Sequence, residues 1–431
     1  MPMPYVTLLG KAVRRIALMR GGGSALPGLF VEKIDPDFIK RTLANLPYGV
    51  VVISGTNGKT TTTKMVVDLL RSQGLTVFTN RTGSNFTRGV AAALLGETDR
   101  RGNLQADIAV LELDEAHAVH FVKAVPPRYC LLLNVMRDQL DRFGEIDTTT
   151  KMLAKVADAT TEGVVINRDD PRLGSRDFIK PLAAAKTVRS FGADATLQKL
   201  FPSDDELRSP SDSGNQDRPD RFYNDDVSLK RLDGQKALIS FDDKETSVDL
   251  KITGIYNTLN AVSAVALSRL ILGDKIDEGK LFSALADVTP AFGRGEIVTV
   301  GGQPVELVLV KNPGGFRLGL SSFSPVGYKT MIAINDNYAD GRDMSWLWDV
   351  EFESLRQEGV ATVSGVRAYD MALRLQYDEI DVATVEPDLV QSMRHFLSQH
   401  TEHPKRIFCT YTAMLAVRRE LAKITTVETI L

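Results

Sequence analysis

Residues 46–61 read Leu-Pro-Tyr-Gly-Val-Val-Val-Ile-Ser-Gly-Thr-Asn-Gly-Lys-Thr-Thr. The apolar, β-branched run through Ile53 predicts a buried strand, and Gly55 turns the chain at its end. From Thr60 to Gln73 the apolar residues at 65, 66, 69 and 70 keep helical spacing, and Gly74 closes the helix. Leu75–Thr79 is strand-like again. Strand, glycine turn, helix, strand is a βαβ unit, which calls for a parallel sheet. In that setting Gly55-Thr56-Asn57-Gly58-Lys59-Thr60-Thr61 is a phosphate cradle. Its glycines let backbone N–H groups wrap an anion, and the helix N-terminus adds positive potential. Lys59 is spaced to reach β- and γ-phosphates, and the Thr60 hydroxyl to bind Mg²⁺. The general phosphate-loop pattern places a glycine at position 53, where this chain has Ile.

Outward from that unit, further buried strands are expected at Ile108–Leu111, Cys130–Val135 and Val164–Ile166. Glu112 and Asp114 follow the first of these. A carboxylate at a strand's carboxyl end beside a phosphate loop is where a Mg²⁺ ligand is needed, and Glu112 is the first choice. His117 is open between supporting that site and lying on a plain helix surface. Asn134, Asp138, Gln139 and Asp141 follow the next strand, and polar groups gathered at neighbouring strand ends fit one crevice at the carboxyl edge of the sheet. Residues 203–226 are rich in Ser, Asp, Pro and Asn and read as a loop or insertion. Residues 227–252 alternate like a hairpin, Ile255–Leu272 is a strong helix, and a boundary near 295–300 precedes a second α/β pattern.

Length and composition set the outer limits. The chain has 431 residues, so two or three domains are expected. Hydrophobic residues at 43% and charged residues at 25% are ordinary for a soluble globular protein. A net charge of −3 gives no global reason to expect nucleic acid. Residues 1–41 break the balance, with Lys11, Arg14, Arg15, Arg20, Lys33, Lys40 and Arg41 against three acids. Such a segment is either a solvated helix face or a contact for an anionic membrane or acidic partner. Two cysteines, Cys130 and Cys409, cannot form a disulfide framework or a Cys-only zinc site. No stretch approaches the roughly 20 apolar residues of a membrane span, and a reducing cytoplasm is the expected compartment.

The short Gly-Thr-Asn-Gly-Lys-Thr loop, the segment Gly254-Ile-Tyr-Asn257-Thr-Leu-Asn260-Ala, and Arg294 in Phe-Gly-Arg-Gly-Glu resemble the Mur-ligase family. Asp138-Gln139-Leu140-Asp141, Lys311-Asn312-Pro313-Gly314-Gly315 and the run from Asn335 to Asp349 resemble its MurT branch. The likeness runs from Gly21–Gly28 to the Tyr411-Thr-Ala stretch. It implies a basic N-terminal segment over 1–45 packed on a central parallel-sheet ATP-binding domain over 46–298, then a MurT-type α/β domain over 299–431. It implies ATP and Mg²⁺ as cofactors, with Asn257 contacting nucleotide and Arg294 approaching phosphate from the next domain. The implied reaction is ATP-dependent amidation of the α-carboxylate of D-Glu in lipid II through an acyl phosphate. Ammonia would come from a GatD-type glutaminase partner, whose histidine Asp349 would orient, at the inner face of the plasma membrane. A carbamylated lysine is usual after the Asp138–Asp141 motif, with Lys151 and Lys155 both open. Gln139 stands where most of the family has histidine, which counts against a second metal site. The family's four-cysteine zinc ribbon has no counterpart in the polar stretch at about 190–250, so no zinc is expected. Two other readings stay open: an amino-acid-adding Mur or folylpolyglutamate-type ligase, and an ATP-bound scaffold that only activates its partner. The short stretch before Gly55 counts against the first, and intact Lys59, Thr60 and Glu112 against the second.

Overall fold

The structure, a computed structural model, describes residues 4–19, 25–80, 86–137, 146–203, 227–289, 294–399 and 401–427. Among these, the strands form two sheets. The first holds β1 (Val50–Ser54), β2 (Val77–Thr79), β3 (Ile108–Glu112), β4 (Tyr129–Leu132), β5 (Gly163–Asn167), β6 (Thr187–Ala193), β7 (Val227–Asp233), β8 (Lys236–Phe241) and β9 (Lys244–Asp249), in the order β2-β3-β1-β4-β5-β6-β7-β8-β9. Every pairing from β2 to β7 is parallel. Both faces are covered, so these strands carry continuous apolar runs: β1, β3, β4 and β5 are buried at every residue.

One face is covered by α4 (Lys59–Ser72), α9 (Ile255–Leu272) and α10 (Glu278–Asp287), whose side chains meet Val51, Ile53, Val110 and Leu131 in one core. Against the expectation of no membrane-length apolar run, the helical stretch 255–275 is long and apolar enough to cross a membrane, yet most of it is buried against the sheet. Against the opposite face pack α1 (Pro4–Met19), α2 (Ala25–Ile34), α3 (Phe38–Leu43), α5 (Thr87–Glu97), α6 (Glu115–Ala124), α7 (Ile146–Ala159) and α8 (Arg176–Ala183). Val6, Val31, Phe38 and Leu46 belong to that second core, with α1, α2 and α3 packed on α5.

The stretch at about 190–250 was expected as a polar insertion, and most of its described part is sheet. Strands β7, β8 and β9 form an antiparallel extension. Alternation puts Leu229, Ile239, Phe241 and Val248 in the core and leaves the other face to solvent, so the stretch reads as polar while it folds as a sheet edge. The expected loop at 203–226 lies outside the described residues except for Ser203.

The second sheet holds β10 (Arg294–Val300), β11 (Gln303–Leu309), β12 (Lys329–Ala333), β13 (Val360–Ser364), β14 (Val382–Glu386) and β15 (Lys405–Cys409), ordered β10-β11-β15-β12-β13-β14. Only β10 runs antiparallel. The expected boundary at 298/299 therefore falls inside β10. Around this sheet lie α11 (Pro313–Ser322), α12 (Ala368–Tyr377), α13 (Leu389–Gln399) and α14 (Tyr411–Leu421).

Candidate active site

Strand β1 lies between β3 and β4, with Ile53 level with Glu112 on one side and Leu131 on the other. The loop leaving β1 is thus flanked by the carboxyl ends of both neighbours. Each side is stapled. Ser54 Oγ donates to Leu113 O at 2.9 Å. Asn57 N donates to Asn134 Oδ1 at 2.8 Å, Asn134 Nδ2 returns to Asn57 O at 3.0 Å, and Met136 N donates to Thr56 Oγ1 at 3.0 Å. Gly58 adopts φ +86°, and a Cβ there would stand 2.5 Å from Asn260 Oδ1, so its glycine is required twice over.

Lys59 opens α4 and is buried with its side chain folded back on the loop. Its Nζ donates to Gly55 O and, at 3.2 Å, to Thr56 O, and it pairs with Glu115 Oε2 at 3.4 Å. An ammonium held by loop carbonyls and one carboxylate is placed where phosphate oxygens could replace them. Thr60 Oγ1 donates to Glu112 Oε1 at 2.8 Å, which brings the two expected Mg²⁺ ligands together. Asn80 fixes the backbone of Glu112 from both sides, accepting from its N at 2.9 Å and donating to its O at 2.8 Å. A hydroxyl and a carboxylate converging beside a phosphate loop suit a hard cation that takes its other ligands from phosphate and water. Thr61 lies buried in the first turn of α4.

Asp114 caps α6 through Ala116 N at 3.3 Å and stands 3.6 Å from His117 Nδ1. Burial would raise its carboxyl, but the His117 imidazole and the charges of Lys59 and Lys311 outweigh that and hold it down at about 2. His117 rests on Phe86 with ring centroids 4.3 Å apart, so it braces this corner.

Beside the loop opens a cleft walled by Met136, Asn167, Phe191, Phe201, Tyr256 and Leu259 among others. Phe201 and Tyr256 meet edge to face at 5.5 Å. Apolar and aromatic walls with a few amides suit a flat heterocycle. Asn167, Asp169 and Asp170 line this cleft at the end of β5 and escaped the sequence reading. Asn-Arg-Asp-Asp after an apolar strand carries the same signal that singled out Glu112. Asp170 accepts from Val135 N at 2.6 Å and Leu173 N at 3.0 Å, fixing the strand ends around the cleft. Asn257, expected to meet nucleotide, donates to Thr253 O at 2.6 Å and accepts from Asn260 at 3.2 Å, while Asn260 is the residue pressed on Gly58.

The second sheet reaches the same site. Asn312 caps α11 by accepting from Gly315 N at 2.6 Å, and its Nδ2 donates to Asn57 Oδ1 at 3.1 Å, across 255 positions of sequence. Asp349 ends a short 3₁₀ turn at Ser345–Asp349, half-exposed, with Oδ2 3.7 Å from Arg137 of the central domain. The dense Asn/Asp run from Asn335 is hydrogen-bonded within its own domain: Asn335 and Asn337 both donate to Thr412 Oγ1, and Asp340 accepts from Thr412 N at 2.7 Å. The Arg294 side chain and Asp138, Gln139 and Asp141 lie outside the described residues. Lys151 and Lys155 are exposed on α7. Both cysteines are buried, and burial pushes the Cys130 thiol up to about 12 and Cys409 upward as well. Neither is a poised nucleophile.

Residues 53–268 match the Mur ligase middle domain, and residues 309–414 match the MurT ligase C-terminal model. The chain is 31% identical over 446 residues to the lipid II isoglutaminyl synthase (glutamine-hydrolyzing) subunit MurT of Streptococcus pneumoniae, covering 96% of each chain. It is 30% identical over 407 residues to the subunit of the same name from Staphylococcus aureus, covering 89% of this chain and 90% of that one. Among solved structures, a pseudomurein peptide ligase type C from Methanothermus fervidus superposes with TM-score 0.66 at 18% identity, over 90% of this chain and 81% of that one. MurF ligase from Thermotoga maritima in complex with ADP does so with TM-score 0.65 at 19% identity, over 90% and 83%.

Proposed function

The chain belongs to the MurT branch of the Mur ligase family, and we propose that it is the ATP-dependent ligase subunit of a lipid II isoglutaminyl synthase. In this reading the α-carboxylate oxygen of the D-Glu residue attacks the γ-phosphorus of ATP, and ADP leaves. Ammonia then adds to the acyl carbon of the resulting acyl phosphate, phosphate departs, and the nitrogen loses a proton, leaving D-isoglutamine. The observation that carries the reading is the junction of the two sheets: Lys59 and the Thr60–Glu112 pair on one side, and Asn312 with the N-terminus of α11 on the other. Lys59 balances charge on the transferring phosphoryl group. Thr60 and Glu112 are the residues that would hold Mg²⁺, which supplies further charge neutralisation. Closing the second domain over the loop excludes water from an intermediate that water destroys.

The ammonia is proposed to come from a separate glutaminase subunit. Two observations support this. The buried, high-pKa thiols give the chain no poised cysteine nucleophile for glutamine hydrolysis. The second domain also offers a docking face beside Asp349. Trp348 is exposed and meets exposed Tyr377 edge to face at 5.1 Å, and Tyr369, Leu373 and Tyr377 form an exposed stripe at helical spacing on α12, with exposed Val366 just before the helix. Asp349 would orient the partner's histidine in a Cys-His-Asp arrangement.

The test is mass spectrometry of lipid II incubated with the protein, ATP and Mg²⁺, with either ammonium chloride or glutamine plus the glutaminase. Lys59→Ala should abolish conversion of carboxylate to carboxamide from both nitrogen sources. Asp349→Asn should spare the ammonium reaction and suppress the glutamine reaction. An Asp349→Asn protein that keeps full glutamine-driven activity would remove that residue from the partner's site.

A further inference from the structure

The N-terminal helices carry an outward chemistry that the ligase site does not use. Helix α1 turns Gly10 inward so tightly that a Cβ there would stand 2.7 Å from Val31 and 2.8 Å from Leu95. Val6 and Thr7 are buried on the same side. The residues left outside are Leu8, Leu9, Ala12 and Arg15, and Leu8 and Leu9 are 50% and 52% exposed. Helix α2 is equally committed on its inner face. A Cβ at Gly28 would stand 1.9 Å from Arg88 O, and Val31 is fully buried. Its outer face shows Leu26 at 56%, Ile34 at 45%, and exposed Lys33.

Single exposed aliphatics are ordinary on a protein surface. Four on two touching helices, each helix also presenting a cation, make a combination that suits a membrane interface, where aliphatic side chains enter the acyl boundary and cations meet anionic head groups. The charge distribution favours the same occupant. Residues 1–41 hold seven basic and three acidic residues, a net of +4, and the whole chain is −3, so residues 42–431 carry −7. An anionic bilayer attracts the exposed Arg15 and Lys33 on the same outer faces as these aliphatic side chains.

We propose that the outer faces of α1 and α2 dock this protein on anionic phospholipid. The surface chemistry stands on its own. Its use, delivering a lipid-anchored stem peptide to the cleft, rests on the ligase reading above.

The experiment is co-sedimentation of the full chain with phosphatidylglycerol–phosphatidylcholine vesicles and with pure phosphatidylcholine vesicles, for the parent and for Leu8→Glu/Leu9→Glu. The expected result is binding to the anionic vesicles that falls at least tenfold on neutral vesicles and at least tenfold in the variant. Circular dichroism should be unchanged, because both leucines face outward. Absence of binding to anionic vesicles overturns the proposal. So does a self-associated protein in gel filtration that the same variant turns monomeric, which would assign the face to a second copy. Amidation separates the two readings. If the variant amidates a soluble stem peptide normally and vesicle-borne lipid II poorly, both stand. If the parent binds anionic vesicles but amidates neither substrate, docking stands and the ligase reading fails.

Discussion

Asp114 shows how much one side chain depends on its neighbours here. Its carboxyl is held at about 2 against an ordinary 3.8, so the folded state favours the ionised form. A depressed carboxyl contributes stability above its unfolded value and loses it as pH falls through the folded one. The shift corresponds to about 2 kcal/mol at neutral pH. Asp114→Asn should therefore lower unfolding free energy by about that amount at pH 7 in urea titrations. The deficit should shrink from about pH 4 downward; a deficit independent of pH would mean the charge is not its source. Residues of this kind were legible from sequence as candidates, because acids after apolar strands stand out. Their partners were not. Glu115 lies next to Asp114 in sequence, yet nothing local says that it pairs with Lys59 across 56 positions. Asn257 looked like the nucleotide contact and Asn260 like its neighbour in a motif. The structure adds that Asn257 is held by the backbone of Thr253 and by Asn260, and that Asn260 packs against Gly58.

At the scale of elements, the antiparallel edge β7-β8-β9 stands where relatives of this type were expected to carry a zinc ribbon. The edge is tied to the helix that covers it. Arg269 of α9 pairs with Asp242 in the β8–β9 turn and with Glu278 Oε1 at 3.2 Å, and its guanidinium lies 4.2 Å from the centre of the Phe241 ring. Such a clamp contributes about 1–2 kcal/mol. Arg269→Ala should lower the melting temperature, whereas EDTA should leave that of the parent unmoved; a chelator-sensitive transition would reveal a metal this fold does not account for. The first βαβ unit, the long helix at 255–272 and the hairpin alternation were all legible, because each is a local periodicity. The start of β10 was not, since strand β10 belongs to the second sheet only through pairing with β11.

At the scale of the whole molecule, two sheets built on the same parallel logic meet at their carboxyl edges, and the meeting is made by Asn57 and Asn312. Asn312→Asp keeps the helix cap, because a carboxylate also accepts from Gly315 N, but it removes the donor to Asn57 and places negative charge beside the phosphate loop. Amidation should fall at least tenfold with little change in melting temperature, and an undiminished rate would show that the contact does not bear on turnover. Contacts of this kind are invisible to any window of sequence.

The material of that contact matters too. Two carboxamides carry no net charge, so their hydrogen bond is not screened by dissolved ions and does not titrate with the carboxylates and imidazoles around it. The companion contact between the domains, Arg137 with half-exposed Asp349, is ionic and open to water. Ionic strength therefore acts on the Arg137–Asp349 pair and not on the Asn57–Asn312 hydrogen bond. As salt rises the Arg137–Asp349 pair weakens while the Asn57–Asn312 hydrogen bond holds, so the phosphate loop keeps its tie to the second domain.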